Sequence, residues 1–356
     1  MKSDSIFDCV IVGAGIIGVT IAKQLLAKNL GWRIAVLERS LIGGGTSRYS
    51  AGIHIPYGET DRIKTLSDVS HKEYLALMSA LPDYPIYPLT FTGIVSNNTY
   101  EKVANGFCNM PIKRISKKEA IPKSIGQLNI DSDEVSFPIT GCHYTNVPEL
   151  ISCYVRDIYS NPYIKFWEGV NITNILDDKE KVHLTLQDGR TIFGRNVILA
   201  PGPWINDKVF RPLIKHFDIR IKKIVSLHVN KSPEKEDSGL YFPDHDGVLV
   251  PYYKAGYWLF SYKCQEWDVY PDSSKLAITP EDRHCALNIL KKYCPNLIDY
   301  ASSGRVFCDA YSSDWNPIVS PLSDTSNIIF SGACGGSGYR LAPAIAEEAI
   351  SFVLSK

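Results

Sequence analysis

Two glycine clusters stand at opposite ends of this 356-residue chain. The first, Gly13-Ala14-Gly15-Ile16-Ile17-Gly18, follows the apolar run Phe7-Asp8-Cys9-Val10-Ile11-Val12 and precedes Val19, Ile21, Ala22, Leu25 and Leu26 at helical spacing. A glycine turn between strand and helix aims unpaired N–H groups and the positive end of the helix dipole at a phosphate. Gly13 permits the tight turn, Gly15 lets a pyrophosphate approach the backbone, and Gly18 lets helix and strand pack closely. The next strand, Arg33-Ile34-Ala35-Val36-Leu37, ends at Glu38. A carboxylate there accepts from both ribose hydroxyls and repels a 2′-phosphate, which disfavours NADP and leaves NAD or FAD. A glycine turn without a ligand is the competing reading; strand, helix and Glu38 together weigh against it.

The second cluster reads Ser331-Gly332-Ala333-Cys334-Gly335-Gly336-Ser337-Gly338-Tyr339-Arg340. Pro343 suits the first turn of a following helix, to which Ala344, Ile345, Ala349, Phe352 and Val353 give an apolar face. An ordinary glycine turn capping a C-terminal helix is the alternative. Two ends that both lead a glycine turn into a helix fit one long ligand held between them, and FAD is that reading. The second helix would point its N-terminus at the flavin's N1–C2=O edge, where a dipole end favours reduction.

At 356 residues the chain exceeds the roughly 250–300 at which one core usually suffices, so two domains are expected. Lys and Arg total 38 and Asp and Glu total 38, which leaves no footprint for nucleic acid or an anionic membrane. The longest apolar run, Cys9 to Ala22, is broken by glycines and too short to span a bilayer. Met1-Lys2-Ser3-Asp4-Ser5 runs straight into the first strand, so no signal peptide is expected. Nine cysteines without CxxC spacing predict reduced thiols and a cytoplasmic location. No metal-ligand cluster is evident.

Between the clusters, Asp61 to Leu81 and Val147 to Tyr159 have helical spacing, and Pro280 to Lys292 predicts a third helix. Leu89 to Asp131 reads as strands and short helices punctuated by Pro111 and Pro122. Strand signals fall at 164–167, 169–172 and 183–186, with Asp188-Gly189 as a hairpin turn. Asn196 to Ala200 is an apolar strand, and 219–264 is strand-rich and aromatic. The expected fold class is α/β. A Rossmann-like FAD-binding domain of the glutathione-reductase type comprises 1–57, 144–212 and 305–356. An α+β substrate domain on a mostly antiparallel sheet comprises 58–143 and 213–304.

These pieces resemble the D-amino-acid oxidase superfamily of flavoproteins, the group of glycine oxidase and monomeric sarcosine oxidase. Four places carry the resemblance, in the family's order. They are the first fingerprint with Glu38, the segment Gly44 to Gly52, the strand Val197 to Trp204, and the closure Gly336 to Pro343. The resemblance implies FAD contacts from Gly13, Gly15, Ile16, Ile17, Gly18, Glu38 and Arg39, and from Gly45, Thr46, Ser47, Arg48, Ala51 and Gly52. It extends them to Val170, Ala200, Gly202, Trp204, Cys308, Gly336, Ser337, Gly338, Tyr339 and Arg340. Arg340 falls where the sarcosine-oxidase branch has a carboxylate-binding cation, and a guanidinium holds a carboxylate through two parallel hydrogen bonds. A surface arginine is the plain alternative.

His54 and Tyr57 fall where relatives line the flavin face, although a satisfied structural histidine is the commoner outcome. Tyr252 and Tyr253 fall on a pocket-wall strand, where only one of two adjacent residues can face in. Lys263 is a candidate oxygen-activating cation without a matched position in the family. Cys308 lies near the place of a flavin-linking cysteine, but the spacing to Asp314-Trp315-Asn316-Pro317-Ile318 is one residue short and Trp315 replaces a glycine. A plain buried cysteine is the favoured reading, with covalent attachment as the alternative. The glycine-oxidase branch implies a carboxylate-binding arginine on this strand; Val306 to Ser313 contains none.

The implied reaction is oxidation of the C–N bond of an amino acid or related amine. Arg340, His54, Tyr252 and Tyr253 are the substrate-site residues expected to serve it. Hydride passes to the flavin, O₂ is the acceptor, and imine and H₂O₂ are the products. One alternative is a dehydrogenase of a 2-hydroxy acid or polyol phosphate with His54 as base. Another is a flavoprotein subunit or tailoring enzyme acting on a larger or carrier-bound amine. Small molecules are the expected partners, with neither nucleic acid nor membrane.

Overall fold

The computed structural model describes residues 6–108, 113–116 and 119–355; the break expected at Pro111 lies outside them. In chain order the elements begin with β1 (Ile6–Val12), α1 (Ile16–Ala27), β2 (Ile34–Leu37), β3 (Ile53–His54), α2 (Asp61–Ala80) and β4 (Ile86–Ser96). Next come α3 (Tyr100–Gly106), β5 (Glu134–Thr145), α4 (Val147–Tyr159), β6 (Ile164–Trp167), β7 (Ile172–Asp177), β8 (Val182–Leu186) and β9 (Thr191–Leu199). Then follow α5 (Arg211–Ile214), β10 (Ile219–Val229), β11 (Gly239–Phe242), β12 (Gly247–Tyr252), β13 (Tyr257–Ser261) and α6 (Pro280–Tyr293). The chain closes with β14 (Ala301–Ser312), β15 (Ile318–Pro321), β16 (Ile328–Gly332) and α7 (Gly338–Leu354).

The strands form two sheets. The first has the order β15-β16-β9-β1-β2-β6, with the β7–β8 hairpin attached through β9. β1 runs parallel to β2 and β9, and β9 to β16, so their carboxyl ends share one edge. Cys9, Val10 and Ile11 are fully buried, as expected of parallel strands covered on both faces. Ligands bind outside the carboxyl ends of such strands, which is where Gly13, Glu38, Ala200 and Ala333 emerge. The second sheet has the order β14-β10-β13-β12-β11-β4-β5-β3 and is antiparallel except for the β11–β4 pair. This is the expected α/β fold with a mostly antiparallel second sheet.

Some details differ from the sequence reading. Ile53–His54 and Ala301–Ser312 pair into the second sheet, whereas boundaries at 57 and 305 put most of these residues with the first. The strand expected over 169–172 starts only at Ile172, because Gly169 at φ +67° holds the preceding turn.

α7 begins at Gly338, not at Pro343, which lies inside it. Proline has no N–H for the carbonyl four residues back, so the helix needs outside partners there. Tyr74 supplies one, its hydroxyl donating to the Tyr339 carbonyl at 2.6 Å. Ser70 Oγ accepts the Ala344 N–H at 3.2 Å, and His54 Nδ1 lies 3.3 Å from the Arg340 carbonyl. The earlier start also puts Tyr339 and Arg340 into the first helical turn, beside the glycine cluster.

Candidate FAD and substrate site

A cavity of about 1030 Å³ runs from the carboxyl edge of the first sheet to the inner face of the second. Ligand sites are typically ~300–1,000 Å³, so this one has room for a dinucleotide and a small substrate together. Its first half is built by close backbone approaches. Gly13 has φ +101°, and a Cβ there would sit 2.3 Å from the Ala200 carbonyl oxygen. One on Gly18 would sit 1.9 Å from the Gly13 oxygen. The two glycines therefore fix the turn and the helix–strand packing respectively. Gly15 caps α1 without a side-chain hydrogen bond, which leaves that end for a ligand and for Ser47, whose Oγ accepts the Ile16 N–H at 2.9 Å.

Glu38 is buried and accepts from Ala14 N–H and Ser40 N–H, each at 2.9 Å. A carboxylate has about four acceptor sites, so capacity for ribose hydroxyls remains. Arg39 lies over the Trp204 ring at 4.8 Å, and both bond Asp272, which fixes one wall. Thr46 donates to the Cys308 carbonyl at 2.9 Å, and Gly335 N–H donates to that of Ala310 at 3.0 Å. β14 thus ties the Gly44–Gly52 segment to the C-terminal glycine cluster, and the two chain ends share one cavity.

The second half is lined by charged and aromatic side chains. Arg340 donates from Nη1 to the Tyr57 carbonyl and from Nη2 to Ser337 Oγ, both at 2.7 Å. Those bonds hold the guanidinium at the N-terminus of α7 with donors to spare. Around the same space stand Tyr57, Glu59, Tyr241, Asp246, Lys222, Lys263, Asp309, Tyr311 and Trp315. Burial raises the Asp309 carboxyl to about 7, with Lys222 opposing the rise. It also raises Asp246, against Lys222 and Lys263, and lowers Lys222 itself.

Nearly every expected cofactor residue lines the cavity: Gly13, Gly15, Ile16, Ile17, Glu38, Arg39, Gly45, Thr46, Ser47, Ala51, Gly52, Val170, Ala200, Gly202, Trp204, Cys308, Gly336, Ser337, Gly338, Tyr339 and Arg340. Gly18 serves packing instead, and Arg48 is exposed and off the cavity wall. Cys308 packs in the core beneath the sheet, and burial, then Asp309, pushes its thiol up to about 12. Little thiolate exists near neutrality at such a site.

The substrate-site residues other than Arg340 fall elsewhere. His54 is fully buried, stacked on His143 at 4.6 Å and His71 at 5.2 Å, and off the cavity wall. Burial, then His143 and Arg340, holds its pKa well below the usual value. It serves the proline-interrupted helix. Tyr252 donates to the Ala51 carbonyl at 2.6 Å and accepts from Arg305, and Tyr253 donates to the Asp237 carbonyl. Neither tyrosine lines the cavity.

Lys222, Asp246 and Asp309 were not anticipated. The available signal was the adjacent pair Lys222-Lys223 within one strand, where alternation must turn the two to opposite faces. Lys223 turns to Asp282 and Glu266 at 2.7 and 2.8 Å, and alternation sends Lys222 into the cavity.

A family model described as FAD dependent oxidoreductase (DAO) matches residues 8–351. The chain therefore belongs to this family of FAD-dependent oxidoreductases. Glycine oxidase from Geobacillus kaustophilus superposes with a TM-score of 0.81 over 99% of this chain and 96% of that one, at 16% identity. L-proline dehydrogenase from P. horikoshii gives 0.81 over 99% and 94%, at 17% identity. L-α-glycerophosphate oxidase from Mycoplasma pneumoniae, solved with FAD bound, gives 0.80 over 99% and 96%, at 17% identity. At these identities the likeness is one of fold. A search of curated protein sequences finds no match. Among the described residues no helix is long and apolar enough to cross a membrane, and all nine cysteines are free thiols.

Proposed function

We propose that this protein oxidises the C–N bond of an amino acid or related amine, with O₂ as electron acceptor and imine and H₂O₂ as products. The observation that carries the reading is Arg340, a guanidinium pinned by Tyr57 and Ser337 at the cavity wall. It suits a substrate carboxylate bound through two parallel hydrogen bonds.

The residues present fit FAD. Gly13 and Gly15 clear the backbone at the N-terminus of α1 for the pyrophosphate, Glu38 meets the ribose, and Gly335–Gly338 receive the ring system. Bound there without a covalent link through Cys308, FAD supplies the hydride acceptor and the route of electrons to O₂. Arg340 then fixes the substrate by its carboxylate, while Tyr57, Tyr241 and Trp315 wall the reacting carbon from water. Positioning of this kind supplies much of the rate. The competing reading, oxidation of a 2-hydroxy acid or polyol phosphate, relied on His54 as base, and His54 is off the cavity wall.

The test is anaerobic mixing of the FAD-loaded protein with a panel of amino acids and amines, followed by bleaching of the flavin band. Bleaching by an amino acid, and H₂O₂ release on admitting air, is the expected outcome. Bleaching only by hydroxy acids or glycerol phosphate would overturn the proposal.

A further inference from the structure

The mechanism above leaves one requirement unmet. Hydride leaves the carbon with the help of the nitrogen lone pair, and an ammonium has none, so a proton must first be removed. The carboxylate anchor is cationic and cannot take it.

We infer that Asp309, backed by Lys222, is the residue that meets the substrate nitrogen, an inference that rests on the amine reading above. The two face each other across neighbouring antiparallel strands, Lys222 on β10 opposite Asp309 on β14. Both line the cavity. On β14, Cys308 and Ala310 pack into the core, so alternation sends Asp309 the other way, to the side of Phe307 and Tyr311. That side faces the C-terminal glycine cluster. A Cβ on Gly336 would sit 3.8 Å from Asp309 Oδ2 and 3.5 Å from the Tyr311 hydroxyl. The carboxylate therefore stands over the segment that receives the flavin ring, four residues along the chain from Arg340.

Neither member of the pair is used up structurally. Among the described residues no hydrogen bond or salt bridge engages the Asp309 carboxylate or the Lys222 ammonium, which instead lies 5.4 Å from the Trp267 ring and 5.5 Å from that of Tyr311. Asp309 is only partly buried, its carboxylate open to the cavity and free to meet a cation that enters there. Arg340 and Asp309 thus put one cation and one anion on the wall of the same cavity, the two charges that an amino acid calls for.

The step is a proton transfer. The substrate ammonium and the Asp309 carboxylate become the neutral amine and the carboxylic acid, while Lys222 stays charged. A base is most effective when its pKa lies near the working pH, and the value of about 7 for Asp309 suits the task. The groups facing it are Lys222 from β10, Tyr311 on its own strand and Cys334 from the glycine segment. Asp246 and Lys263 act on it through Lys222.

The test uses FAD-loaded protein and matched ligand pairs, each an amino acid and the same acid lacking the amine, such as alanine with propanoate and phenylalanine with 3-phenylpropanoate. Binding is read from the flavin difference spectrum. The wild type should prefer an amino-bearing member by about 30-fold or more. Asp309→Asn should erase that preference while leaving propanoate or phenylpropanoate affinity unchanged. Lys222→Met keeps the carboxylate and removes its cation, so the acid limb of the bleaching rate should move to higher pH. If Asp309→Asn does not retain flavin, that displaced limb decides the matter.

A preference that survives in Asp309→Asn, no preference in the wild type for any pair, or an unmoved limb in Lys222→Met overturns the inference. Bleaching by amines together with such a result would leave the amine reading standing. A preference lost in Asp309→Asn without bleaching by any amine would leave Asp309 as the nitrogen site and sink the oxidase reading.

Discussion

The two halves of the cavity are made differently. The half beside β1 and α1 is set mainly by backbone: glycines that bring carbonyls and N–H groups close, one buried carboxylate and a helix whose N-cap residue, Gly15, has no side chain. The half beside β10 and β14 consists of side chains: Arg340, Lys222, Asp309 and Asp246 among tyrosines and tryptophans. A backbone cradle has one solution, because only glycine fits where a Cβ would strike a carbonyl. A wall of side chains has many solutions, and each sets a different specificity.

That contrast breaks most sharply at Gly13. Replacement by alanine places a Cβ 2.3 Å from the Ala200 oxygen, well inside van der Waals contact, and forces a side chain into φ +101°. We expect loss of bound FAD and destabilisation of roughly 4 kcal/mol or more, measured by flavin content and thermal unfolding. A yellow, stable Gly13→Ala protein would show that the cradle is not a backbone device. In the other half, Arg340→Met should leave flavin content intact and reduce kcat/KM for amino acids by about 100-fold or more, mainly through KM. Equal losses for amines without a carboxylate would contradict its role as an anion anchor.

The same contrast decided what could be read in the sequence. Gly13, Gly15, Glu38 and the Gly335–Gly338 cluster were legible because each residue type answers a local backbone demand at fixed spacing. The fold class and most helices followed from periodicity. Lys222 and Asp309 were not legible, since their meeting depends on the register of two strands more than eighty residues apart in sequence. His54 misled for a related reason. Its closeness to the glycine segment suggested flavin contact, but alternation on β3 turns it under the sheet toward α7. The Pro343 interruption that employs it could be located only with the helix start known.

Smaller effects sharpen the comparison at its edges. Burial, then His71, lowers His143 to about 3, while the unfolded value is about 6.5. A base whose folded pKa is depressed contributes stability that is complete above the unfolded pKa and is lost as pH falls toward the folded one. At pH 5 the loss should be on the order of 2 kcal/mol, and His143→Leu should flatten the acid side of a denaturation profile. An unchanged slope would remove the histidine stack from the account. Trp315 adopts φ +64° and lines the substrate half, edge-on to Tyr311 at 5.4 Å. Relief of that backbone should offset the lost contacts in Trp315→Gly, leaving stability within about 1 kcal/mol while substrate KM rises. Unchanged KM would exclude Trp315 from the substrate wall.

The central claim is that the two chain ends close one cradle around FAD. The most direct measurement is the flavin content of the purified wild-type protein, taken from its visible spectrum before and after acid precipitation. One FAD per chain, released into the supernatant, is the result predicted. A colourless protein that takes up no FAD from excess would contradict the claim, and yellow colour retained in the pellet would contradict the non-covalent placement at Cys308.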